Sequence, residues 1–251
     1  MRRRILYATS VLAGLAGYAA QVSPASAQGL EEIVVTARKT EESLMEVPLS
    51  ITAVSSANIE AANIKDVRDV AAYTPGLFVQ YSQSGAAIGR SFTFRGLQVS
   101  NGGQVFIDGA PYVGQSQPDT GALERIEVLL GPQSAYFGRS TFTGALNYIT
   151  KAPSMTDFKG KISGEYATFN STDTQISLEG PIVADKLGLR VTGRHFASDG
   201  HWTNRSNPDS PVGSTRKEAV TATFLFQASD ALKFKMFLQF MEFPAAFFQV
   251  S

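Results

Sequence analysis

The sequence predicts two regimes in one chain: an α+β domain of mixed strands and short helices, then a run of long antiparallel strands. Three observations carry this reading. Residues 47–153 hold short apolar runs, two helical stretches and Gly-rich turns; residues 154–251 alternate apolar and polar side chains with period two; and the amino terminus is laid out as an export signal. Composition narrows the function. With 22 basic against 22 acidic residues, 43% hydrophobic and 18% charged, the 251-residue chain suits neither disorder nor a cationic nucleic-acid binder, so no nucleic-acid partner is expected. The absence of cysteine excludes disulfides and thiolate chemistry. His195 and His201 are the sole imidazoles, so a zinc site would need carboxylates for most of its ligands, and no metal or cofactor is expected.

Taken in chain order, residues 1–27 read as a cleavable signal peptide. Arg2, Arg3 and Arg4 give a basic start, residues 5–20 an apolar run diluted by Thr9 and Ser10, and Ala25-Ser26-Ala27 a small-residue cleavage site before Gln28. That run is too short and too rich in Gly and Ala for a comfortable membrane span. Its removal takes three arginines and leaves an acidic excess, so no polybasic surface survives. No later window offers eighteen consecutive apolar residues, and any further bilayer contact must use strands or surface attachment.

Glu31-Glu32-Ile33-Val34-Val35-Thr36-Ala37 is a β-branched run between acidic residues and Arg38-Lys39. One reading is the first strand of a domain. The other is a docking strand that adds to the exposed sheet edge of a partner, with the polar stretch 39–46 as its tether.

In residues 47–153, strands are expected at 49–54, 77–81, 92–95, 105–107 and 126–130, and helical stretches at 55–62 and 66–73. The second helix places Val67, Val70 and Ala71 on one face and is stopped by Thr74-Pro75-Gly76. Recurrent glycines, among them Gly96, Gly109, Gly131, Gly138 and Gly144, mark positive φ or close backbone approach. Asp108 before Gly109 suits a hairpin turn better than a catalytic carboxylate. Glu124, Arg125 and Glu127 alternate along a strand in a pattern that suits internal salt bridges. Glu124 and Glu127 point to opposite faces and cannot easily act as an acid/base pair. The Ser/Thr-rich stretch 134–143 has no nearby histidine and nominates no triad, so an enzyme is not expected.

Past Pro153, five segments share one design. Phe158, Ile162 and Tyr166 oppose Lys159, Lys161, Ser163 and Glu165; Ile176, Leu178 and Ile182 oppose Gln175, Ser177 and Glu179; Leu187, Leu189 and Val191 oppose Arg190, Thr192 and Arg194. Val220, Ala222, Phe224 and Phe226 then oppose Thr221 and Thr223, and Leu232, Phe234, Met236, Leu238 and Phe240 oppose Lys233, Lys235 and Gln239. Each segment has the roughly ten residues a tilted strand needs to cross a bilayer. Short turns at 184–185 and 229–230 alternate with a long polar connection, 198–217. Periodicity alone leaves a soluble β-sandwich and a membrane barrel both open, and Phe158, Phe169, Phe196, Trp202 and Phe243 near strand ends tilt the choice toward interfacial girdles.

Several blocks together resemble one family. Residues 31–37 look like a TonB box, Phe92-Thr93-Phe94-Arg95-Gly96-Leu97 looks like the arginine-glycine turn of a plug, and residues 105–111 resemble its next hairpin. The block from Leu123-Glu124-Arg125 through Gly131-Pro132 to Gly138, followed by Gly144-Ala145-Leu146-Asn147-Tyr148-Ile149-Thr150-Lys151, is the most specific. In this order, they resemble the TonB-dependent outer-membrane receptors. The resemblance implies an α+β plug domain followed by antiparallel transmembrane β-barrel strands, with the plug inside a barrel of about 22 strands. It divides the chain into a signal peptide (1–27), a TonB box and linker (28–46), a plug (47–153) and the first barrel strands (154–251).

The resemblance also implies placement in the outer-membrane lipid and capture of an extracellular nutrient, most often an iron-siderophore complex. Uptake is then energised by TonB with its ExbB/ExbD complex, which engages Glu32, Ile33, Val34, Val35, Thr36 and Ala37. Arg95, Gly96, Asp108, Gly109, Glu124, Arg125, Gly131, Pro132, Gly138 and Gly144 form the structural motif of the plug. No room between Gln28 and Glu31 is expected for a periplasmic signalling domain. Leu130 departs from the family, which usually has arginine there; that arginine and the one matching Arg95 typically face acidic residues on the barrel wall, so half of this latch is in doubt.

The 98 residues after Pro153 suffice for about five strands, against the ~8 of the smallest closed barrels, so an incomplete barrel and a fragment or truncated product are expected. Residues 80–90 and 112–117 are candidates for touching ligand, whose identity is not legible. Two other classes compete: a periplasmic enzyme, for which no catalytic cluster exists, and a secreted or surface β-rich binding protein not coupled to TonB.

Overall fold

The computed structural model describes residues 34–36, 40, 42–47, 50–81, 90–99, 105–112, 117–138, 141–200, 214–229 and 232–242, all in one compact unit. The expected signal peptide, Glu32, Ile33, Ala37, Trp202 and Phe243 lie outside the described residues, as do most of the two candidate ligand stretches.

The chain opens with a two-stranded antiparallel ladder, β1 (Val34–Val35) with β2 (Glu42–Ser43). After β3 (Ser50–Ser55) come two short helices. In α1 (Ser56–Ala61), the Ser55 side chain accepts from the Asn58 amide; α2 (Val67–Ala72) starts at a capping box in which the Asp66 and Asp69 carboxylates serve orphan amides reciprocally. Both helices are too short to persist alone, so their stability comes from burying Ile59, Val67 and Val70. Then β4 (Leu77–Tyr81), β5 (Arg90–Phe94) and β6 (Leu97–Val99) form a three-stranded meander.

The remaining elements of the globule are β7 (Val105–Ile107), β8 (Ala110–Pro111), a 3-10 turn (Thr120–Ala122), β9 (Leu123–Leu130), α3 (Ser134–Phe137) and β10 (Gly144–Thr150). They complete a sheet of order β3-β9-β10-β7-β8, antiparallel except for the β10–β7 pair. Its central strands β9 and β10 are buried on both faces. Ile126, Val128, Leu146 and Tyr148 meet the helices and the Phe92 and Phe94 rings on one side, while Leu129 and Ala145 join Val35, Val47, Phe106 and Phe137 on the other. Every residue of β10, the polar Asn147 and Thr150 included, is buried, so the strand shows no alternation and period two gives no signal for it. Alpha-helix α3 was likewise masked by the Ser/Thr-rich composition around it.

Beyond Pro153 the architecture changes. Strands β11 (Lys159–Ala167), β12 (Ser171–Val183), β13 (Leu187–Ser198), β14 (Thr215–Ser229) and β15 (Leu232–Glu242) form one antiparallel meander in sequence order. At 9 to 15 residues they are long enough to cross a bilayer at a tilt. The five strands do not close: β11 and β15 each lack a second neighbour among the described residues.

Parity decides the two faces. Thr221 and Thr223 are 2% exposed on the side that meets the globule, whereas Phe158 is 82%, Ile162 74% and Phe240 71% exposed on the other. A soluble sandwich would pack those side chains inward, so this sheet is a barrel wall with its apolar side turned outward. One expectation is corrected. Phe196 has inward parity, sits beside Arg194 and Lys217, and has the Lys217 ammonium 6.0 Å from its ring, so it is no girdle residue. The rim bearing the long connection also carries a tight turn at 168–170, through left-handed Phe169 and Asn170.

Candidate functional site

The segment expected to dock on a partner does not hang free. Val35 is fully buried, and residues 42–47 fold back so that Glu42 and Ser43 pair with it while Val47 and Leu44 pack beside it. The described residues of the expected tether thus pack against the plug, beside the apolar pocket that Val35 fills. Next along, the Thr36 amide donates to Glu127 Oε1 at 2.8 Å, and the Thr36 hydroxyl lies 3.1 Å from both oxygens of that carboxylate.

Glu127 has no solvent exposure, and a buried carboxylate persists only where donors surround it. Arg125 Nε donates at 2.8 Å and Asn147 Nδ2 at 3.1 Å, which completes the set. Arg125 also donates to Glu124 at 2.7 Å, so the alternating triplet 124, 125 and 127 forms the expected internal salt bridges.

The other motif residues are turns and tight contacts. Arg95 and Gly96, at φ 50° and 83°, make the tight turn from β5 to β6, and the Arg95 amide donates to the Gly76 carbonyl at 2.7 Å. The Arg95 guanidinium is exposed and forms no ion pair among the described residues. Asp108 and Gly109 (φ 48° and 76°) close the β7–β8 hairpin, but Asp108 does more than turn the chain. It accepts from the Thr150 amide at 3.0 Å and hydroxyl at 2.6 Å, and from Lys235 of the wall at 3.0 Å.

Gly131, at φ 100°, donates its amide to the Thr143 carbonyl at 3.0 Å, with Pro132 exposed beside it; Gly138 ends α3. A Cβ at Gly144 would lie 2.6 Å from both the Leu129 carbonyl oxygen and the Phe94 ring, so only glycine fits there. Leu130 is half-buried against the apolar core.

The plug meets the wall through charge. Arg194 on β13 donates to both oxygens of Asp173 on β12 at 2.9 and 2.7 Å, to Asp119 of the plug at 2.9 Å and to the Thr120 hydroxyl at 2.7 Å. Lys65 of the plug reaches Asp173 and, at 3.0 Å, Glu165 on β11. Lys161 donates to Glu60 at 2.7 Å, and the Gln239 side chain bonds the Gln117 carbonyl at 3.0 Å and the Asp119 amide at 2.8 Å.

A cleft of about 370 Å³ lies between these partners, lined by Lys65, Gly121, Lys151, Asp173, Gln175 and Arg194 among others. The hydrogen bond from Lys161 leads in holding the Glu60 carboxyl below its ordinary value, and burial, aided by Arg190, lowers the Lys151 ammonium. No cluster of His, Asp and Glu fit to hold a metal occurs among the described residues.

Asp119, Asp173 and Lys65 were missed in the sequence. In the sequence Arg194 falls on a polar face, although a full charge at mid-strand, inside a span of bilayer length, already demands a buried partner.

A globule clamped by ion pairs to the polar face of a long-stranded sheet, whose other face is apolar and bare, defines a plugged outer-membrane barrel. Residues 43–145 match the TonB-dependent receptor plug domain, and the chain is similar to TonB-dependent outer-membrane receptors.

It is 28% identical over 175 residues to the ferrioxamine receptor of Yersinia enterocolitica, covering 65% of this chain and 23% of that one. It is 33% identical over 126 residues to the vitamin B12 transporter of Vibrio vulnificus, covering 48% and 20%. These relatives are receptors and transporters, not enzymes. Among solved structures, the ferric yersiniabactin uptake receptor of Yersinia pestis superposes with a TM-score of 0.62 at 24% identity, over 72% of this chain and 29% of that one. The ferripyoverdine receptor of Pseudomonas aeruginosa gives 0.67 at 17% identity, over 83% and 27%. These two likenesses bear on the fold. The chain spans less than a third of the length of each of these relatives.

Proposed function

We propose that this chain is the plug and opening wall of a receptor for energised uptake of a large nutrient, most simply an iron-siderophore complex. TonB, driven by ExbB/ExbD, would pull on residues 32–37. The observation that carries this is Val34-Val35-Thr36: a short strand at the start of the plug, held by a few identifiable hydrogen bonds and one buried valine. Extended backbone so placed can add to the edge of a partner sheet once it leaves. The domain division at 27, 46 and 153 is proposed with it.

Siderophores are favoured because the ferrioxamine, yersiniabactin and pyoverdine receptors are among the similar proteins, while the vitamin B12 transporter marks the other cargo class. The outward apolar face supports contact with outer-membrane lipid. Deleting residues 32–37 is expected to abolish energy-dependent uptake of radioiron-loaded siderophore by cells while surface binding of the same siderophore persists. Unimpaired uptake by the deletion would remove the assignment.

A further inference from the structure

Glu127 and Asn147 pair across β9 and β10 on the face that carries Val35 and Thr36. Asn147 is fully buried and uses both ends of its amide. Its oxygen accepts from the Gly109 amide at 3.0 Å, in the turn of the β7–β8 hairpin; its nitrogen donates to Glu127 Oε2 at 3.1 Å and lies 3.5 Å from the Thr36 hydroxyl. The same turn is fastened outward, since Lys235 of β15 grips both Asp108 and the Thr150 carbonyl, the latter at 2.5 Å. A chain of direct contacts thus runs from the wall through Lys235, the Asp108–Gly109 turn, Asn147 and Glu127 to Thr36. A side-chain amide is suited to this. It supplies an acceptor to one neighbour and a donor to the other from a single rigid plane, so neither bond can shift without turning the other.

We propose that Asn147 is a positioning residue that couples the β7–β8 hairpin to the docking strand, so that displacement of the hairpin loosens the clasp of Glu127 on Thr36. The coupling rests on the reading of residues 32–37 as the docking segment, but the clasp itself does not. If the hairpin moves, the Gly109 amide pulls Asn147 out of plane and Glu127 loses a donor. The carboxylate, already buried, then holds Thr36 with a distorted set of partners.

These 251 residues contain no cysteine, so Val35→Cys, in outer-membrane preparations of a receptor from which any cysteine outside them has been removed, gives a unique thiol that reacts with a maleimide only when the strand leaves its pocket. Asn147→Leu, which keeps the volume and removes both bonds, is expected to raise the labelling rate by about tenfold or more, the scale of one hydrogen bond to a charged acceptor. Asp108→Ala should also raise it, but not further in the Asn147→Leu background; this non-additivity separates coupling from local damage.

A parallel Val128→Cys reporter in the core of β9 should stay unreactive in every background, which shows that the plug remains folded. Two results would overturn the coupling: unchanged labelling in Asn147→Leu, or Asp108→Ala acting additively with it. Failure of the TonB reading is distinguishable, since there Val35→Cys labelling would respond to Asn147→Leu while disulfide trapping of that thiol by TonB would not occur.

Discussion

The plug and the wall are made from similar residues and solve the water problem in opposite ways. In the plug, Phe94 is fully buried between the β4–β6 meander and β10; in the wall, Phe240 is 71% exposed and Thr221 and Thr223 of β14 are sealed inside. The plug is a protein core in the ordinary sense. Strands β11–β15 are the reverse, with the apolar side turned out and the polar side clamped on the plug by Arg194, Lys65 and Lys161. The difference teaches that the wall takes its stability from two surroundings at once, a hydrocarbon phase outside and a charged globule inside.

That contrast breaks most severely at the centre of each region. Phe94→Ala should cost about 3–5 kcal/mol in denaturant unfolding of the plug, since it empties a site with no exposure. Arg194→Ala leaves Asp173 and Asp119 without their shared cation and should destabilise the plug-to-wall contact by a similar ~3–5 kcal/mol, seen as earlier protease cleavage of the plug in intact membranes. Leu178→Arg sharpens the comparison. On a water-facing surface it would be nearly neutral, whereas mid-strand in a bilayer it should cost about 2–4 kcal/mol in folding into lipid vesicles.

The smallest effect lies at the rim of the interface. The folded-state value of Glu60 is depressed, chiefly by its hydrogen bond to Lys161, so that contribution is complete above the ordinary carboxylate range and is lost as pH falls through the depressed value. Both side chains are more than half exposed, so Lys161→Ala should cost under about 1 kcal/mol and flatten only the acid limb of a stability-against-pH curve.

How far the sequence disclosed this molecule follows the same division. Strand parity beyond Pro153 was legible because each wall strand sees two unlike environments, and alternation records that directly. Alternation could not report β10, which is buried on both faces; it does give Phe196 the inward parity of Arg190, Thr192 and Arg194, and the girdle reading of that ring was what misled, since it turns inward beside Lys217. The turn chemistry of Arg95-Gly96 and Asp108-Gly109 was plain from residue type. What Asp108, Asn147 and Glu127 do beyond turning or pairing was not, since their partners lie 20 to 127 positions away and only folding brings them together. Arg194 was visible as a charge, but Asp119, its plug partner, belongs to a stretch with no pattern of its own.

The central claim, that one face of β11–β15 lies in lipid and the other against the plug, is tested most directly along β14. Single cysteines at 219 to 224, in a receptor from which any cysteine outside these 251 residues has been removed, would be spin-labelled in membranes and exposed in turn to oxygen, which concentrates in hydrocarbon, and to a water-soluble paramagnetic chelate. The expected result is alternation with period two, oxygen reaching positions 220, 222 and 224 and neither reagent reaching 219, 221 and 223. Strong relaxation by the chelate at 220, 222 and 224 would contradict it, because those side chains would then be facing water.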